Sequence, residues 1–322
     1  MQRFFAGTVL VLVAGAAAMV GGCGGGGRTA GLGVRYVVFE TDRPGGVGNK
    51  DVMLFDRVTG QLDTLAAMNS TADDVHPSIS SDGRYIAFAS NRVSGAGYNI
   101  YVFDRQNATF VPTPGLNSSS DDDWPDISAD GLYVAFQSNR PGAGGWDVYL
   151  YDLALQALVN LGTINTSADE LRPSASEDAA WIAFQTDRYP TTAPDILLYD
   201  RGLNVLYSLP INTSGVERDP DLSASGRFLV YVVQGGPGGA YFDLELYDRQ
   251  EGTITQPPGL NIANSNEDLP SMSFDAWWIA FTSDRPGGVG GTDVYLYDRA
   301  AQAVVQPAGL NAATSDTSPG LD

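Results

Sequence analysis

The chain has 322 residues, with 38 Asp and Glu against 18 Lys and Arg, one His and one Cys. The formal charge of −20 argues against a nucleic-acid-binding protein, because phosphates require a basic surface. One cysteine cannot form an internal disulfide or a cysteine-based metal site, and one histidine cannot supply a histidine-rich site. The hydrophobic fraction of 43% is sufficient for a folded core and argues against a disordered chain.

The first 22 residues have the pattern of a secretory signal peptide. Arg3 precedes an apolar run from Phe4 to Val20, which small residues follow. This run is shorter than the roughly 20 residues that a membrane-spanning helix needs. Residues 20–23, Val-Gly-Gly-Cys, resemble the lipobox of bacterial lipoproteins, and the single cysteine stands at its last position.

The lipobox resemblance implies cleavage before Cys23 and lipidation of that cysteine. Residues 23–33 would then form the lipidated end and a Gly-rich tether. Gly24, where inner-membrane lipoproteins carry Asp, implies the outer membrane of the cell envelope, facing the periplasm or the cell exterior. The alternative is an ordinary signal peptide in which the cysteine occurs by chance.

An aromatic-Asp pair recurs six times, with its Asp residues 48, 48, 48, 48 and 50 positions apart. The pairs are Phe55-Asp56, Phe103-Asp104, Tyr151-Asp152, Tyr199-Asp200, Tyr247-Asp248 and Tyr297-Asp298. Each copy holds four short β-rich runs separated by turn signals such as Ser81-Asp82-Gly83. Four strands per repeat of about 48 residues are typical of a propeller blade.

The two ends of the repeat region complement each other. The first copy begins at Val34 with its second strand, and the chain finishes with Ser318-Pro319-Gly320-Leu321-Asp322, which matches the missing first strand. We therefore predict one all-β domain over residues 34–322. It is a six-bladed β-propeller of four-stranded blades, and the C-terminal strand closes its ring.

The repeat itself resembles a known family. Residues 76–88, His-Pro-Ser-Ile-Ser-Ser-Asp-Gly-Arg-Tyr-Ile-Ala-Phe, are similar to the TolB-type propeller repeat, a relative of the WD repeat. The resemblance extends over nearly all of residues 34–322. It implies a propeller scaffold of the kind that binds a protein partner.

Acidic residues recur at the predicted mouth of the central channel. One acid stands three residues before each repeat proline: Asp74, Asp122, Glu170, Glu217, Glu267 and Asp316. An Asp/Asn-Arg pair follows most second strands, and Asp or Asn, Asp243 among them, begins each third strand. Either these residues lock each blade through Arg–carboxylate bonds, or their surplus negative charge binds a basic partner or a cation. Oxygen ligands of this type suit Ca²⁺, although no EF-hand spacing occurs.

Two places depart from the repeat. Four acids, Asp121, Asp122, Asp123 and Asp126, form the densest acidic cluster around Trp124. This tryptophan either stacks on a ligand ring or caps its loop. Blade five lacks the loop arginine, so Glu217 and Asp243 should be less neutralised there, with Arg218 as a possible substitute. Sequence divergence of this repeat, without any special function, would explain the same departure.

No catalytic constellation stands out, because no Gly-x-Ser-x-Gly elbow occurs and a triad would depend on the single His76. We expect a monomeric, non-enzymatic envelope module with no cofactor, which binds a protein or peptide and meets the membrane only through its lipid. The alternative is an envelope propeller that binds or cleaves carbohydrate, since paired carboxylates are plentiful.

Overall fold

The computed structural model describes residues 34–93, 95, 97–162, 164–189, 193–235 and 241–322. The expected signal peptide, Cys23 and the tether lie outside these residues, so their roles remain predictions. Regular structure in the described residues consists of 24 β-strands. That part of the chain has no helix of the length and apolarity needed to span a membrane.

The strands form six antiparallel sheets of four strands each, which are the blades of a six-bladed β-propeller. In chain order they are β1 Tyr36–Thr41, β2 Asp51–Asp56, β3 Gln61–Asp63, β4 Asp74–Ile79, β5 Tyr85–Ser90, β6 Asn99–Asp104, β7 Thr109–Phe110, β8 Asp122–Ile127, β9 Tyr133–Ser138, β10 Asp147–Asp152, β11 Ala157–Val159, β12 Glu170–Ala175, β13 Trp181–Thr186, β14 Asp195–Asp200, β15 Val205–Ser208, β16 Glu217–Leu222, β17 Phe228–Gln234, β18 Phe242–Asp248, β19 Thr253–Thr255, β20 Glu267–Met272, β21 Trp278–Ser283, β22 Asp293–Asp298, β23 Ala303–Val305 and β24 Asp316–Leu321. Blade 1 contains β24, β1, β2 and β3, and blades 2 to 6 take the other strands four at a time. Strands a to d are the four strands of a blade, counted outward from the channel.

The core lies between the blades. Six apolar clusters each join two neighbouring blades, including the pair formed by blades 1 and 6. Strand b of blade 1 shows the reason: Val37 and Phe39 enter the cluster shared with blade 6, whereas Val38 enters the one shared with blade 2. Because both faces of these strands are buried, their sequences are almost continuously apolar.

The aromatic-Asp repeat marks the end of strand c. Tyr151 is fully buried, and the next residue, Asp152, accepts hydrogen bonds from the backbone N–H groups of Ala154 and Leu155 at 2.9 and 2.8 Å. The aromatic ring therefore supplies core volume while the carboxylate caps the turn into strand d. These two requirements recur in every blade, which explains the recurrence of the pair.

An asparagine in each loop between blades pairs with strand c as an additional strand would. Asn117 Oδ1 accepts a bond from Ile100 N at 2.8 Å, and Asn117 Nδ2 donates to Ile100 O at 2.8 Å. The same two bonds are made in all six blades, by Asn69, Asn117, Asn165, Asn212, Asn261 and Asn311. This contact was not predicted from the sequence, although the asparagines recur at nearly constant spacing.

A β-bulge interrupts strand a of every blade at the residue before the repeat proline. In blade 2 the register with strand b shifts between Val75 and Ser78, and His76 between them has a φ of 51°. The equivalent residues Trp124, Arg172, Asp219, Leu269 and Ser318 have φ between 47° and 53°. The bulge re-aims these side chains relative to the neighbouring residues of the strand.

The C-terminal strand closes the ring, as predicted. β24 pairs with β1, and Thr41 lies opposite Asp316 in the register. Asp322 Oδ1 accepts hydrogen bonds from the N–H groups of Arg35 and Tyr36 at 2.8 and 3.0 Å. Residues almost 290 positions apart thus complete one blade, which leaves no open sheet edge at the join.

Candidate functional site

The six repeated acids are buried. Each is the first residue of strand a rather than part of the preceding loop, and each has 0% exposure. Five of them bind an arginine of their own blade: Asp74–Arg92 at 2.6 Å, Asp122–Arg140 at 2.5 Å, Glu170–Arg188 at 2.9 Å, Glu267–Arg285 at 3.1 Å and Asp316–Arg43 at 2.7 Å. Neighbouring groups thus cover these six carboxylates, and the arginine pairs agree with the alternative in which the acids hold each blade together; a ligand at these acids stays a prediction.

The arginine of each pair contacts the loop between blades and the end of strand b, and Arg92 of blade 2 also contacts strand c. Arg92 Nη2 also donates to Met68 O in the loop between blades at 3.0 Å, and its Nε donates to Ser90 Oγ at 3.0 Å. Its guanidinium lies 4.5 Å from the ring centroid of Tyr101 on strand c. Such charge-assisted bonds lock the loops at the mouth end of the blade.

Blade 5 lacks this lock. Gly235 takes the place of the arginine, and Glu217 accepts bonds only from Thr213 N and Thr213 Oγ1 among the described residues. Arg218 binds Asp219 and Asp268 and does not substitute at Glu217. Burial raises the pKa of Glu217, and burial together with Glu267 and Glu245 raises the pKa of Asp243 to about 6. Asp243 Oδ2 is buried, and none of the described residues gives it a hydrogen bond.

The channel mouth is lined by the bulge residues. They surround a cavity of about 590 Å³, part of which is open to solvent. Their chemistry differs in every blade: His76, Trp124, Arg172, Asp219, Leu269 and Ser318. Behind them come six prolines, one per blade, and then the residues that follow those prolines. The channel thus has a polar mouth, an apolar proline collar and a deeper third layer.

Trp124 is sandwiched between two of these side chains. The imidazole of His76 stacks on it with ring centroids 3.6 Å apart, and the Arg172 guanidinium lies 3.4 Å from the indole centroid. Asp123 Oδ1 accepts a hydrogen bond from the backbone N–H of Trp124 at 2.7 Å and lies 2.8 Å from His76 Nδ1. Both faces of the indole are covered, so neither is free to stack on a sugar or another ligand ring.

Charged groups continue around the rim of the mouth. Arg172 Nη1 lies 3.0 Å from Asp219 Oδ1, outside hydrogen-bonding geometry, so neither atom has a hydrogen-bond partner. Asp121, in contrast, caps a loop by accepting the N–H of Tyr98 at 2.9 Å. Asp123 and Trp124 therefore belong to the mouth, whereas Asp121 is a loop contact and Asp243 lies in blade 5, which lacks the arginine.

Acidic residues concentrate at this end of the ring. The starts of strands a and c, the ends of strand b and the loops between them carry 21 Asp and Glu and eight Arg and Lys. The opposite end carries 13 acids and eight basic residues. The described residues contain no group of three or more His, Cys, Asp or Glu side chains placed to hold a metal ion.

Most residues of the mouth were not predicted from the sequence, because the residue before each proline has the pattern of a variable surface position. The same pattern could have indicated a binding position, since this residue changes in every copy while its flanking residues repeat. Six positions that lie about 48 residues apart form one rim only when the ring is closed.

No protein-family model matches this sequence, and no curated protein does. TolB from Acinetobacter baumannii has a similar structure with a TM-score of 0.64 and 19% identity, over 89% of this chain and 66% of that one. The chain has the TolB-like propeller fold. It thus spans just under two thirds of that TolB's length.

Two enzymes contain the same fold. Hydrazine synthase from Kuenenia stuttgartiensis matches with a TM-score of 0.64 and 13% identity, over 90% of this chain and 46% of that one. Oligogalacturonate lyase from Vibrio parahaemolyticus matches with a TM-score of 0.55 and 11% identity, over 84% and 73%. At these identities the likeness extends to the fold alone, since one propeller scaffold hosts unrelated functions.

Proposed function

We propose that this protein is a lipid-anchored module of the bacterial cell envelope that binds a protein or peptide segment at its channel mouth without catalysis. The observation that carries the proposal is the non-repeating chemistry of the mouth. Positions that hold a blade together repeat, as the buried acids and the paired asparagines do. The six bulge residues do not repeat, although they share one backbone conformation and line one cavity.

The charge at the mouth indicates the kind of segment. Acids outnumber basic residues by 13 at the mouth end and by five at the opposite end. A field of this sign attracts a basic segment and steers its approach. We therefore expect a positively charged partner whose affinity falls as ionic strength rises.

The structure offers less support for a carbohydrate ligand. Trp124 is the aromatic side chain on which a sugar ring could stack, and His76 and Arg172 cover its two faces. A sugar would have to break both contacts before it could stack. A peptide can instead use the polar rim and the proline collar without rearranging them.

A random peptide library, selected on the full-length protein, tests the binding function. Enriched peptides should be basic, with dissociation constants that rise with salt. D123N/D268N at the mouth should weaken them by about tenfold, in the range of a lost charge-assisted bond. The matched control E177Q/E251Q removes two exposed acids from the opposite end and should change little. Enrichment no greater than on empty beads, or equal binding by both double variants, would contradict the proposal.

Lipidation is tested separately by metabolic labelling with a palmitate analogue. The wild-type protein should carry the label and fractionate with membranes, because two or more acyl chains anchor stably. Cys23→Ser should abolish both properties. A labelled C23S protein, or an unlabelled wild type, would rule out the lipoprotein assignment and leave the binding proposal intact.

A further inference from the structure

The third layer of the channel is a ring of small polar residues. The residues that follow the six repeat prolines are Ser78, Asp126, Ser174, Asp221, Ser271 and Gly320. Serine and aspartate alternate over the first five of these positions, and Gly320 occupies the sixth. A Cβ atom at Gly320 would lie 2.9 Å from Val38 Cγ2 and 3.0 Å from Pro77 O, so a side chain there would be crowded. This channel floor, defined by these six residues, carries two carboxylates: Asp126, from the acidic cluster around Trp124, and Asp221, for which the sequence indicates no role.

Hydrogen bonds between blades hold the two carboxylates in place. Asp126 accepts from Ser78 Oγ at 2.9 Å and Ala175 N at 2.7 Å. Asp221 accepts from Ser174 Oγ at 2.7 Å and Met272 N at 2.5 Å. Each oxygen thus accepts one bond, whereas a carboxylate has about four acceptor positions. The acceptor positions that remain can receive further donors.

The floor lacks a cation of its own. No basic residue is among the described residues that line the narrow space around Asp126 and Asp221. The Arg172 and Arg218 guanidinium groups lie at the mouth and pair there with Asp219. Two buried carboxylates without a counter-charge favour the entry of a positive group, since the alternative is to bind protons.

The route to the floor passes a further buried carboxylate. Asp219 at the mouth is 6% exposed and lines the cavity, and its Oδ1 lies 3.0 Å from Arg172 Nη1 without accepting a hydrogen bond from any of the described residues. A chain that enters past Asp219 next meets the proline collar, whose apolar rings suit a methylene stem. Two residues of strand separate the mouth from the floor, or about 7 Å at 3.3 Å per residue. A lysine side chain has a similar reach.

We infer that the channel floor binds the ammonium group of a lysine side chain supplied by the partner, with its stem in the proline collar. This inference rests on the proposed function and names the group that the partner inserts. An ammonium is a compact charge with three donors, and the floor arranges serine and aspartate oxygens around the channel axis.

The probe is the peptide acetyl-Gly-Lys-Gly-amide, titrated into the full-length protein and followed by calorimetry and by the fluorescence of tryptophan. The neutral control replaces lysine with norleucine, which keeps the stem and removes the charge. We expect saturable binding of the lysine peptide and at least about tenfold weaker binding of the norleucine peptide, as for a lost bond to a charged group. Equal binding of the two peptides, or no saturable binding of either, would overturn the inference.

Two isosteric variants locate the site. Asp126→Asn and Asp221→Asn should each weaken the lysine peptide by about tenfold while the protein stays folded, because each replaces a carboxylate that can pair with the ammonium by a neutral amide of the same shape. E177Q at the opposite end is the control and should bind as the wild type does. Unchanged affinity in both floor variants, or Ca²⁺ binding that depends on them without lysine binding, would refute the inference.

Failure of this inference differs from failure of the proposed function. Library peptides that lack lysine but depend on Asp123 and Asp268 would support a binding mouth and reject the lysine site. Lysine-peptide binding that requires Asp126 and Asp221 would support the floor even if the library yielded no partner sequence.

Discussion

His76, Trp124 and Arg172 differ in chemistry but share a left-handed backbone conformation that costs L-residues about 1–2 kcal/mol each. The conformation persists because its neighbours are fixed: a buried acid precedes it by two residues, and a proline follows it. The side chain itself is not required for the bulge. The fold therefore supplies six mouth positions at which the residue type is free to vary.

The residues of the channel floor, in contrast, carry an electrostatic cost. Burial raises the pKa of Asp126 to about 6, and burial together with repulsion from Asp126 raises that of Asp221 to about 8. The folded protein therefore binds protons more tightly than the unfolded chain between about pH 4 and pH 8. Stability should decrease as the pH rises through this window. Asp243 and Asp322, each with a pKa raised to about 6, also lower the stability as the pH rises through the acidic part of this window.

Asp221→Asn should remove much of this pH dependence. We expect the variant to melt higher than the wild type at pH 8.5, by about 2–4 °C for each kcal/mol of relieved repulsion, and to differ little at pH 5. Thermal unfolding followed by circular dichroism at both pH values measures the effect. Asp82→Asn, a change at an exposed turn on the opposite end, is the control. A destabilised D221N protein at pH 8.5 would contradict the assignment of a costly buried charge.

At the scale of the blade, the arginine locks the mouth end and the asparagine fixes the loop that enters it. Other arginines join neighbouring blades at the opposite end, where Arg57 of blade 1 lies 3.8 Å from the ring centroid of Trp278 in blade 6. Blade 5 keeps its acid and its asparagine but has no lock. Equivalent substitutions should therefore have unequal effects in different blades.

Glu170→Gln and Glu217→Gln form a matched pair for this prediction. In blade 4 the change leaves Arg188, only 14% exposed, without its charged partner, so we expect a loss of about 3 kcal/mol. In blade 5 no arginine is left unpaired, and a buried charge disappears, so stability should stay within about 1 kcal/mol of the wild type. Urea unfolding of the two variants measures the difference. Equal losses would show that the arginine lock does not stabilise the blade.

At the scale of the whole molecule, closure by β24 turns six sheets into one structure. Asp316 binds Arg43 at 2.7 Å, and Leu321 is buried in the cluster between blades 1 and 6. Without this strand, blade 1 has no strand a, and its channel side exposes an unpaired edge. The six inter-blade clusters depend on each other through this single join.

Deletion of residues 316–322 should lower the stability of the entire ring. We expect a loss of at least about 4 kcal/mol, the order for a removed core leucine and a broken buried ion pair together. Differential scanning calorimetry measures it. A synthetic peptide of residues 316–322 should restore part of the stability as its concentration rises. A truncated protein that unfolds at the wild-type temperature would disprove the closure model.

The amino-acid sequence by itself determined the architecture, because each blade must repeat the same solution. Tyr151 fills core and Asp152 caps a turn wherever a blade is built, so the period, the strand order and the missing strand at one end can be deduced from local patterns. Only the tertiary structure decided which carboxylates are available. Asp74 and Arg92 lie 18 residues apart and meet by strand pairing, whereas Asp126 and Asp221 lie 95 apart and approach each other only in the closed ring. Burial and charge in the channel are properties of that closure, so no single repeat could show them.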